Sequence, residues 1–223
     1  MPTRSAGPSA LAAGLLAGSI RLLTGVRAEW TGDLPTTEQR VYYANHSSHL
    51  DFLVLWAALP PDVRAVTRPV AAADYWSSGI RAWLAKQVFR AVLVDRGVQA
   101  VSEMLHAAGG DKAEARRQTV RPLLDALAEG SSLVFFPEGT RGNGYEVSPF
   151  RSGLHTLCEA VPGLKLVPAY LGNLSRMLPK GEVLPVPLVC TLQFGPCVSL
   201  AEGENRKKFL DRAREALCTL RRD

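Results

Sequence analysis

A histidine and an aspartate stand close together in the segment Asn45–Asp51, which reads NHSSHLD. His46 and Asp51 are the residues of interest, because an imidazole with an ordinary pKa near about 6.5 can accept a proton at neutral pH. A carboxylate bonded to its other ring nitrogen fixes the tautomer and favours the cation. The pair therefore predicts a general base, provided that the turn folds Asp51 back onto His46.

The same segment allows two other interpretations. In one, His46 is an ordinary loop residue and Asp51 caps the helix that follows. In the other, His46, His49 and Asp51 form the pattern H-x-x-H-x-D and present ligands to a metal. The only further histidines are His106 and His155, and no cysteine cluster accompanies them, so we expect no metal site.

A second group of polar residues follows an apolar run. Ser132–Phe136 has the pattern of a buried strand and ends abruptly at the segment Pro137–Arg141, which contains Glu138, Gly139 and Arg141. Binding sites in parallel α/β sheets gather beyond the carboxyl ends of strands. The segment is either a surface turn with an ion pair or, as we predict, one wall of a crevice shared with His46.

The elements that must position these residues are short apolar runs alternating with helical stretches, which predict one α/β domain with a mixed, mostly parallel sheet flanked by helices. The strand candidates are Arg40–Ala44, Arg64–Thr67, Ala91–Val94, Ser132–Phe136, Lys165–Leu171 and Leu188–Phe194. The helix candidates are Ser9–Leu23, Leu50–Ala58, Ile80–Val88, Val98–Ala107, Lys112–Ala128, Gly153–Ala160 and Arg206–Arg221.

The first 30 residues differ from the rest in composition. Residues 1–30 are predicted to form an amphipathic, interfacial segment and residues 31–223 the main domain. The apolar stretch within Ser9–Leu23 is too short to span a bilayer comfortably, but its helical spacing of leucines and the nearby Arg4, Arg21 and Arg27 suit a helix lying in a membrane interface. A helix packed on the domain fits the pattern equally well.

Composition narrows the function classes. The 223 residues carry 26 Lys and Arg against 21 Asp and Glu, a net charge of +5, which suits either a solvated surface or a partner with phosphate groups, such as an anionic membrane. We expect no nucleic-acid partner. Cys158, Cys190, Cys197 and Cys218 form no C-x-x-C pair and are expected to be free. The signatures of serine hydrolases, P-loop proteins and Rossmann oxidoreductases are absent from the sequence.

Five segments in order resemble the glycerophospholipid acyltransferase family, which contains the 1-acylglycerol-3-phosphate acyltransferases. They are Asn45–Asp51 (N-H-x-x-x-x-D), Val92–Arg96 (VLVDR), Phe136–Arg141 (FPEGTR), Pro149–Gly153 (PFRSG) and Leu166–Tyr170 (LVPAY). The match extends over Arg40–Phe194. The stretch from Arg96 to Gly130 is longer than usual in the family, and Arg151 stands where lysine is frequent.

The resemblance implies a function. It predicts an O-acyltransferase of phospholipid biosynthesis that moves a fatty acyl group from acyl-CoA or acyl-carrier protein to a lysophospholipid, with 1-acylglycerol-3-phosphate and phosphatidic acid as the leading acceptor and product. His46 and Asp51 would be catalytic, without metal or cofactor. The implied substrate-binding residues are Arg96, Glu138, Gly139, Thr140, Arg141 and Arg151.

Several alternatives stay open. The acceptor could instead be glycerol 3-phosphate, another lysophospholipid or a lyso-aminolipid. A metal-dependent hydrolase and a non-catalytic lipid-binding module are alternatives of other classes. Because lysophospholipids reside in bilayers, we expect peripheral attachment to the cytoplasmic face of a membrane.

Overall fold

A seven-stranded sheet forms the centre of the molecule. The computed structural model describes residues 8–48, 50–95, 112–174 and 190–222. The strands are β1 (Arg27–Trp30), β2 (Arg40–Ala44), β3 (Thr67–Ala72), β4 (Val92–Val94), β5 (Ser132–Phe135), β6 (Lys165–Gly172) and β7 (Thr191–Phe194). Their order is β1-β7-β6-β2-β5-β3-β4, and every neighbouring pair is parallel except β6 and β7.

Helices cover both faces of this sheet. They are α1 (Pro8–Thr24), α2 (Asp51–Ala58), α3 (Pro61–Val66), α4 (Ala73–Trp76), α5 (Gly79–Trp83), α6 (Lys112–Ala128), α7 (Gly153–Ala160) and α8 (Arg206–Cys218). The chain continues from α5 directly into a π-helical segment, Leu84–Val88. The predicted fold class, a mixed and mostly parallel sheet flanked by helices with a helix at the N-terminus, is confirmed.

Side-chain alternation along the strands separates two apolar cores. Tyr43 of β2 and Leu133 of β5 point into the core that contains residues of α6, α7 and α8. Their neighbours Tyr42 and Val134 point the other way, into a core that α2 shares. Both faces of the central strands are therefore buried, which explains why these strands read as continuous apolar runs.

Three sequence predictions need correction. Arg64–Thr67 is not a strand, since Pro61–Val66 is helical and the strand begins at Thr67. The reason is Pro61 at the first helical position, where its fixed φ favours a helix start.

Arg27–Trp30, which carried no strand prediction, is an edge strand paired with β7. The last helix ends at Cys218 rather than Arg221, and the predicted helix Val98–Ala107 lies outside the described residues.

The N-terminal helix α1 has two apolar sides. Its inner side packs against α2 and the π-helical segment through the residues Ala13, Leu16, Ala17 and Ile20. Half a turn away, an outer stripe of exposed leucines follows the spacing i, i+4, i+11 with the residues Leu11, Leu15 and Leu22. Packing on the domain and an apolar surface are thus both present. Within the described residues, no helix has the length and hydropathy that a bilayer crossing requires.

Candidate active site

His46 and Asp51 meet in the turn between β2 and α2. The ring Nδ1 of His46 lies 2.8 Å from Oδ2 of Asp51, as the spacing predicted. An ionised carboxylate can only accept, so Nδ1 carries the hydrogen and Nε2 is left as the basic nitrogen. The imidazole also stacks on Phe136 with ring centroids 4.5 Å apart. Two contacts therefore fix the plane of the ring.

Asp51 is held more firmly than a surface carboxylate would be. Its side chain is completely buried, and Oδ2 also accepts hydrogen bonds from the amides of Ser47 (2.6 Å) and Ser48 (2.8 Å). These amides precede α2, so the carboxylate does not cap that helix. Three hydrogen bonds to one oxygen therefore hold the carboxylate in place beside the imidazole.

The backbone of His46 is clamped by the loop that follows β5. Its amide donates to Oε1 of Glu138 at 2.7 Å, and its carbonyl accepts from the amide of Gly142 at 2.8 Å. The other carboxylate oxygen of Glu138 accepts from the amide of Ser148. Glu138 is buried and both of its oxygens are engaged, so it joins the two motifs rather than facing open space.

Asn45 ties the same turn to the sheet. Its side-chain amide donates to the carbonyl of Leu171 at 2.9 Å, and its side-chain oxygen accepts from the amide of Leu171 at 2.8 Å. The side chain thus imitates one more strand residue beside β6. Asn45 was part of the recognised motif without a predicted role, and this two-way bond supplies a structural reason for it.

His46 lines a cavity of about 580 Å³ beyond the carboxyl ends of β3, β4 and β5. One part of its wall is apolar and is formed by the residues Phe52, Val70, Val94, Val120, Leu123 and Phe135. Its exposed lining residues, which we call the cleft mouth, are Asp74, Tyr75, Gly139, Arg141 and Arg151. His46 thus lines the same cavity as an apolar wall and two guanidinium groups.

Gly139 permits the close approach of Arg151. Its φ is +72°, and a Cβ atom added there would lie 2.7 Å from Cδ of Arg151. Such a distance is a clash, and positive φ disfavours other residues. The amide of Arg151 donates to the carbonyl of Pro137, which fixes the second segment beside the first.

The structure places the predicted site residues unequally. Gly139, Arg141 and Arg151 line the cavity with His46, whereas the buried Glu138 and the exposed Thr140 are not among its lining residues. Arg96 and His49 lie outside the described residues. Gly142 and Ser148 were missed, since they contribute only backbone amides, and no side-chain type signals such a role.

The cysteines are free in the structure, as expected. Cys190 is buried and close enough to Asp51 to feel its charge. Burial, and secondly that carboxylate, raises the pKa of the Cys190 thiol to about 11. The thiol is therefore protonated at neutral pH and is a poor nucleophile.

The sequence is similar to those of known proteins. A profile described as Acyltransferase matches residues 26–172. The 1-acyl-sn-glycerol-3-phosphate acyltransferase alpha of Homo sapiens is 28% identical over 214 residues, covering 92% of this chain and 67% of the relative. A 1-acyl-sn-glycerol-3-phosphate acyltransferase of Limnanthes alba is 26% identical over 83% of this chain and 59% of its own length. The chain thus spans about two thirds or less of these relatives.

The fold is shared with a solved structure. The 1-acyl-sn-glycerophosphate (LPA) acyltransferase PlsC from Thermotoga maritima matches with a TM-score of 0.67 at 17% identity, covering 95% of this chain and 79% of that one. Because the family profile covers more than half of the sequence, the prediction of an acyltransferase is confirmed, and this protein belongs to the acyltransferase family.

Proposed function

We propose that this protein transfers a fatty acyl group from a thioester to the free hydroxyl of a lysophospholipid, with 1-acylglycerol-3-phosphate as acceptor and phosphatidic acid as product. The observation that carries the proposal is the 2.8 Å contact between Nδ1 of His46 and Oδ2 of Asp51, beside a cavity with an apolar wall and an arginine-lined mouth. The acceptor has three parts that match these features in turn: a hydroxyl for His46, an acyl chain for the apolar wall and a phosphate for the arginines.

The chemistry needs one proton carrier. Nε2 of His46 removes the hydroxyl proton as the oxygen attacks the thioester carbonyl carbon. Asp51 stabilises the resulting imidazolium and keeps the ring in place. The carbon–sulfur bond breaks, and the leaving thiolate takes the proton back from Nε2. Acceptor and donor react directly, so no acyl-enzyme is required.

The cleft mouth suits a phosphate. Arg141 and Arg151 both line it, and a guanidinium binds two phosphate oxygens at once. Arg96 was predicted to share this role and stays a prediction. The names of the relatives, 1-acyl-sn-glycerol-3-phosphate acyltransferases, support the same acceptor, while glycerol 3-phosphate, other lysophospholipids and lyso-aminolipids are the alternatives.

The donor and the location belong to the proposal as well. Coenzyme A or acyl-carrier protein would carry the thioester, and no further cofactor is invoked. We propose peripheral attachment to the cytoplasmic face of a membrane, with residues 1–30 as the interfacial segment and residues 31–223 as the acyltransferase domain. The exposed leucine stripe of α1 supports this, although β1, within that segment, pairs with the sheet.

A single assay tests the proposal. The purified protein is given acyl-CoA or acyl-carrier-protein donors with a panel of acceptors, and the products are read by mass spectrometry. We expect phosphatidic acid from 1-acylglycerol-3-phosphate, and no product with folded His46→Ala. An acceptor without phosphate that reacts as well would contradict phosphate recognition. Binding without turnover for any pair would favour the lipid-binding module.

The metal-dependent hydrolase is separated by a second measurement. Among the described residues, no three His, Cys, Asp or Glu side chains are grouped as metal ligands, but His49, the second histidine of H-x-x-H-x-D, lies outside those residues. We expect His49→Ala to keep most activity and a chelator to have no effect. Simultaneous loss of activity and of a bound metal in His49→Ala would replace our proposal with the hydrolase.

A further inference from the structure

The short helix α5 exposes apolar side chains that the rest of the described chain does not cover. Ile80 is 75% exposed and Trp83 is 52% exposed, and no residue of α5 is buried. They stand at positions i and i+3, so they lie on the same side of the helix. Exposing the apolar surface of an isoleucine and a tryptophan side by side to water is unfavourable, which suggests that a partner covers them.

This helix lies beside the cleft mouth. The guanidinium of Arg81, between Ile80 and Trp83 in the sequence, lies over the ring of Tyr75 with 4.6 Å between Cζ and the ring centroid. Tyr75 is one of the exposed residues that line the cavity with His46. A partner bound to Ile80 and Trp83 would therefore be close to the entrance of the site.

Charge indicates the nature of that partner. The stretch from Ser77 to Ala91 contains Arg81, Lys86 and Arg90 and no acidic residue, and all three basic residues are exposed. Anionic lipid headgroups attract such residues by about 1 kcal/mol for each one near the surface. Tryptophan is enriched at membrane interfaces, where its ring is apolar and its N–H meets water.

A second apolar surface lies on the same layer of helices. The inner side of α1 packs against Ala85 and Phe89, in and just after the π-helical segment that continues α5. The outer stripe of α1 (Leu11, Leu15 and Leu22) is exposed on the opposite side of that helix. Two neighbouring helices thus each leave apolar side chains open.

We propose that Ile80 and Trp83 insert into the interface of an anionic bilayer and hold the cleft mouth against it. A lysophospholipid then reaches His46 from the membrane without crossing water. The naming of that acceptor rests on the proposed function, whereas the membrane contact of α5 does not. Docking through α5 is a separate contact from docking through α1, so it survives in a chain whose leucine stripe is changed.

The test compares three folded proteins: the natural chain, the double variant Ile80→Ser with Trp83→Ser, and the control Leu34→Ser. Leu34 is 76% exposed against 75% for Ile80, but it lies in the segment between β1 and β2 rather than beside the cleft mouth. Binding is measured by sedimentation with vesicles of phosphatidylcholine and phosphatidylglycerol, and folding by thermal melting. We expect the double variant to bind at least about tenfold more weakly and Leu34→Ser to bind normally.

Activity separates this proposal from the function itself. The double variant should lose turnover on long-chain acceptor in vesicles and keep it on a short-chain, water-soluble acceptor. If the natural chain has no acyltransferase activity but the binding difference remains, the function fails and the membrane contact stands. If vesicle binding is equal in the double variant and the natural chain, the membrane contact is wrong.

Two further readouts distinguish a bilayer from a protein partner at this surface. Lipids with brominated acyl chains should quench tryptophan fluorescence in the natural chain, and Trp83→Phe, which stays apolar and folded, should lose most of that quenching. Unchanged quenching would place Trp83 outside the bilayer and overturn the proposal. If the natural chain forms a dimer without lipid, and the double variant is monomeric but still binds vesicles, this surface would be assigned to a second copy of the chain instead.

Discussion

Two histidine–carboxylate pairs lie in the described part of the chain, and the histidine of each lines a cavity. His46 and Asp51 are 2.8 Å apart in a turn beyond the carboxyl end of β2. His155 and Glu159 are 3.1 Å apart on α7, beside a cavity of about 640 Å³ near the start of β6. By distance and residue type alone the two pairs are nearly equivalent.

Their exposure is reversed. In the first pair the histidine side chain is 25% exposed and the aspartate is completely buried. In the second the histidine is 8% exposed and the glutamate 50% exposed. A general base must reach its substrate while its partner stays fixed, and only the first pair meets both conditions. A histidine and a carboxylate in contact are therefore insufficient evidence of catalysis.

The largest expected difference is between the two variants that lose a histidine. His46→Ala should lower kcat by about 10³-fold or more, because it removes the base. His155→Ala should leave kcat nearly unchanged and lower the melting temperature, since His155 packs against Phe209 with ring centroids 5.7 Å apart. Steady-state kinetics and calorimetry of both variants measure this. Equal losses of kcat would remove the distinction between the pairs.

The carboxylates give the next comparison. Asp51→Asn should lower kcat by about 10²-fold or more. The asparagine side chain is neutral, so it no longer supplies the negative charge that stabilises the imidazolium. Glu159→Gln should have little effect, since the Glu159 side chain is half-exposed and water screens its contact with His155. A pH profile of kcat should change only in Asp51→Asn. Comparable profiles in the two variants would contradict the assignment.

The backbone clamp distinguishes the pairs further, because Glu138 supports only His46. Glu138→Gln turns a side-chain donor toward one of two amide donors, so His46 should shift and kcat should fall by about tenfold. The acceptor KM should change less. A raised acceptor KM with normal kcat would instead support the predicted role of Glu138 in acceptor binding.

The two cavities also differ in charge. Arg141 and Arg151 line the first, and Glu159, Glu202 and Glu204 are among the residues that line the second. Arg141→Ala or Arg151→Ala should raise the acceptor KM by about five- to tenfold for phosphate-bearing acceptors.

In Arg141→Ala and Arg151→Ala, the donor KM should change less than the acceptor KM. Arg121→Ala, on the exposed surface of α6, is the control and should change neither constant. If acceptors with and without phosphate are affected equally, the arginines do not read phosphate.

The smallest effect concerns acid stability at the second cavity. A hydrogen bond from Arg212 is the main cause that lowers the pKa of Glu204 from 4.5 to about 2. Because the folded pKa is depressed, this stabilisation is complete above pH 4.5 and is lost as the pH falls toward 2. Glu204→Gln should melt below the natural chain at neutral pH, and the gap should close over that range. A constant gap would show that ionisation of Glu204 does not contribute.

Much of the fold could be predicted from the sequence, because the central strands are buried on both faces and read as apolar runs. Apolar runs such as Ser132–Phe136 and Lys165–Leu171 match the observed strands within one residue. Arg27–Trp30 escaped prediction because this edge strand has three exposed residues and one partly buried residue. Its pairing depends on β7, more than 160 residues later, and local composition does not report such a contact.

At the site, spacing predicted the contact of His46 with Asp51 because the two lie within one turn. Glu138 was assigned to substrate by resemblance, and its engagement with the amides of His46 and Ser148 could not be read from the sequence. Backbone partners are the same for every residue type, so the motif shows that a carboxylate is present but not what it holds.

The helix α2 is tied at both ends to neighbouring parts of the chain. At its start the carboxylate of Asp51 holds the turn that carries His46, and at its end the guanidinium of Arg21 in α1 donates to the carbonyls of Ala57, Ala58 and Leu59. Eight residues of helix make a rigid rod of roughly 12 Å between these anchor points. Hydrogen exchange of the α2 amides therefore reports on α1. If α1 left the domain, Arg21 would leave those carbonyls, and the longer bonds from Arg64 to Ala57 (3.4 Å) and Leu59 (3.5 Å) would remain. The helix that carries Asp51 would then be held less firmly, so the seat of the His46–Asp51 pair depends on α1 staying packed on the domain.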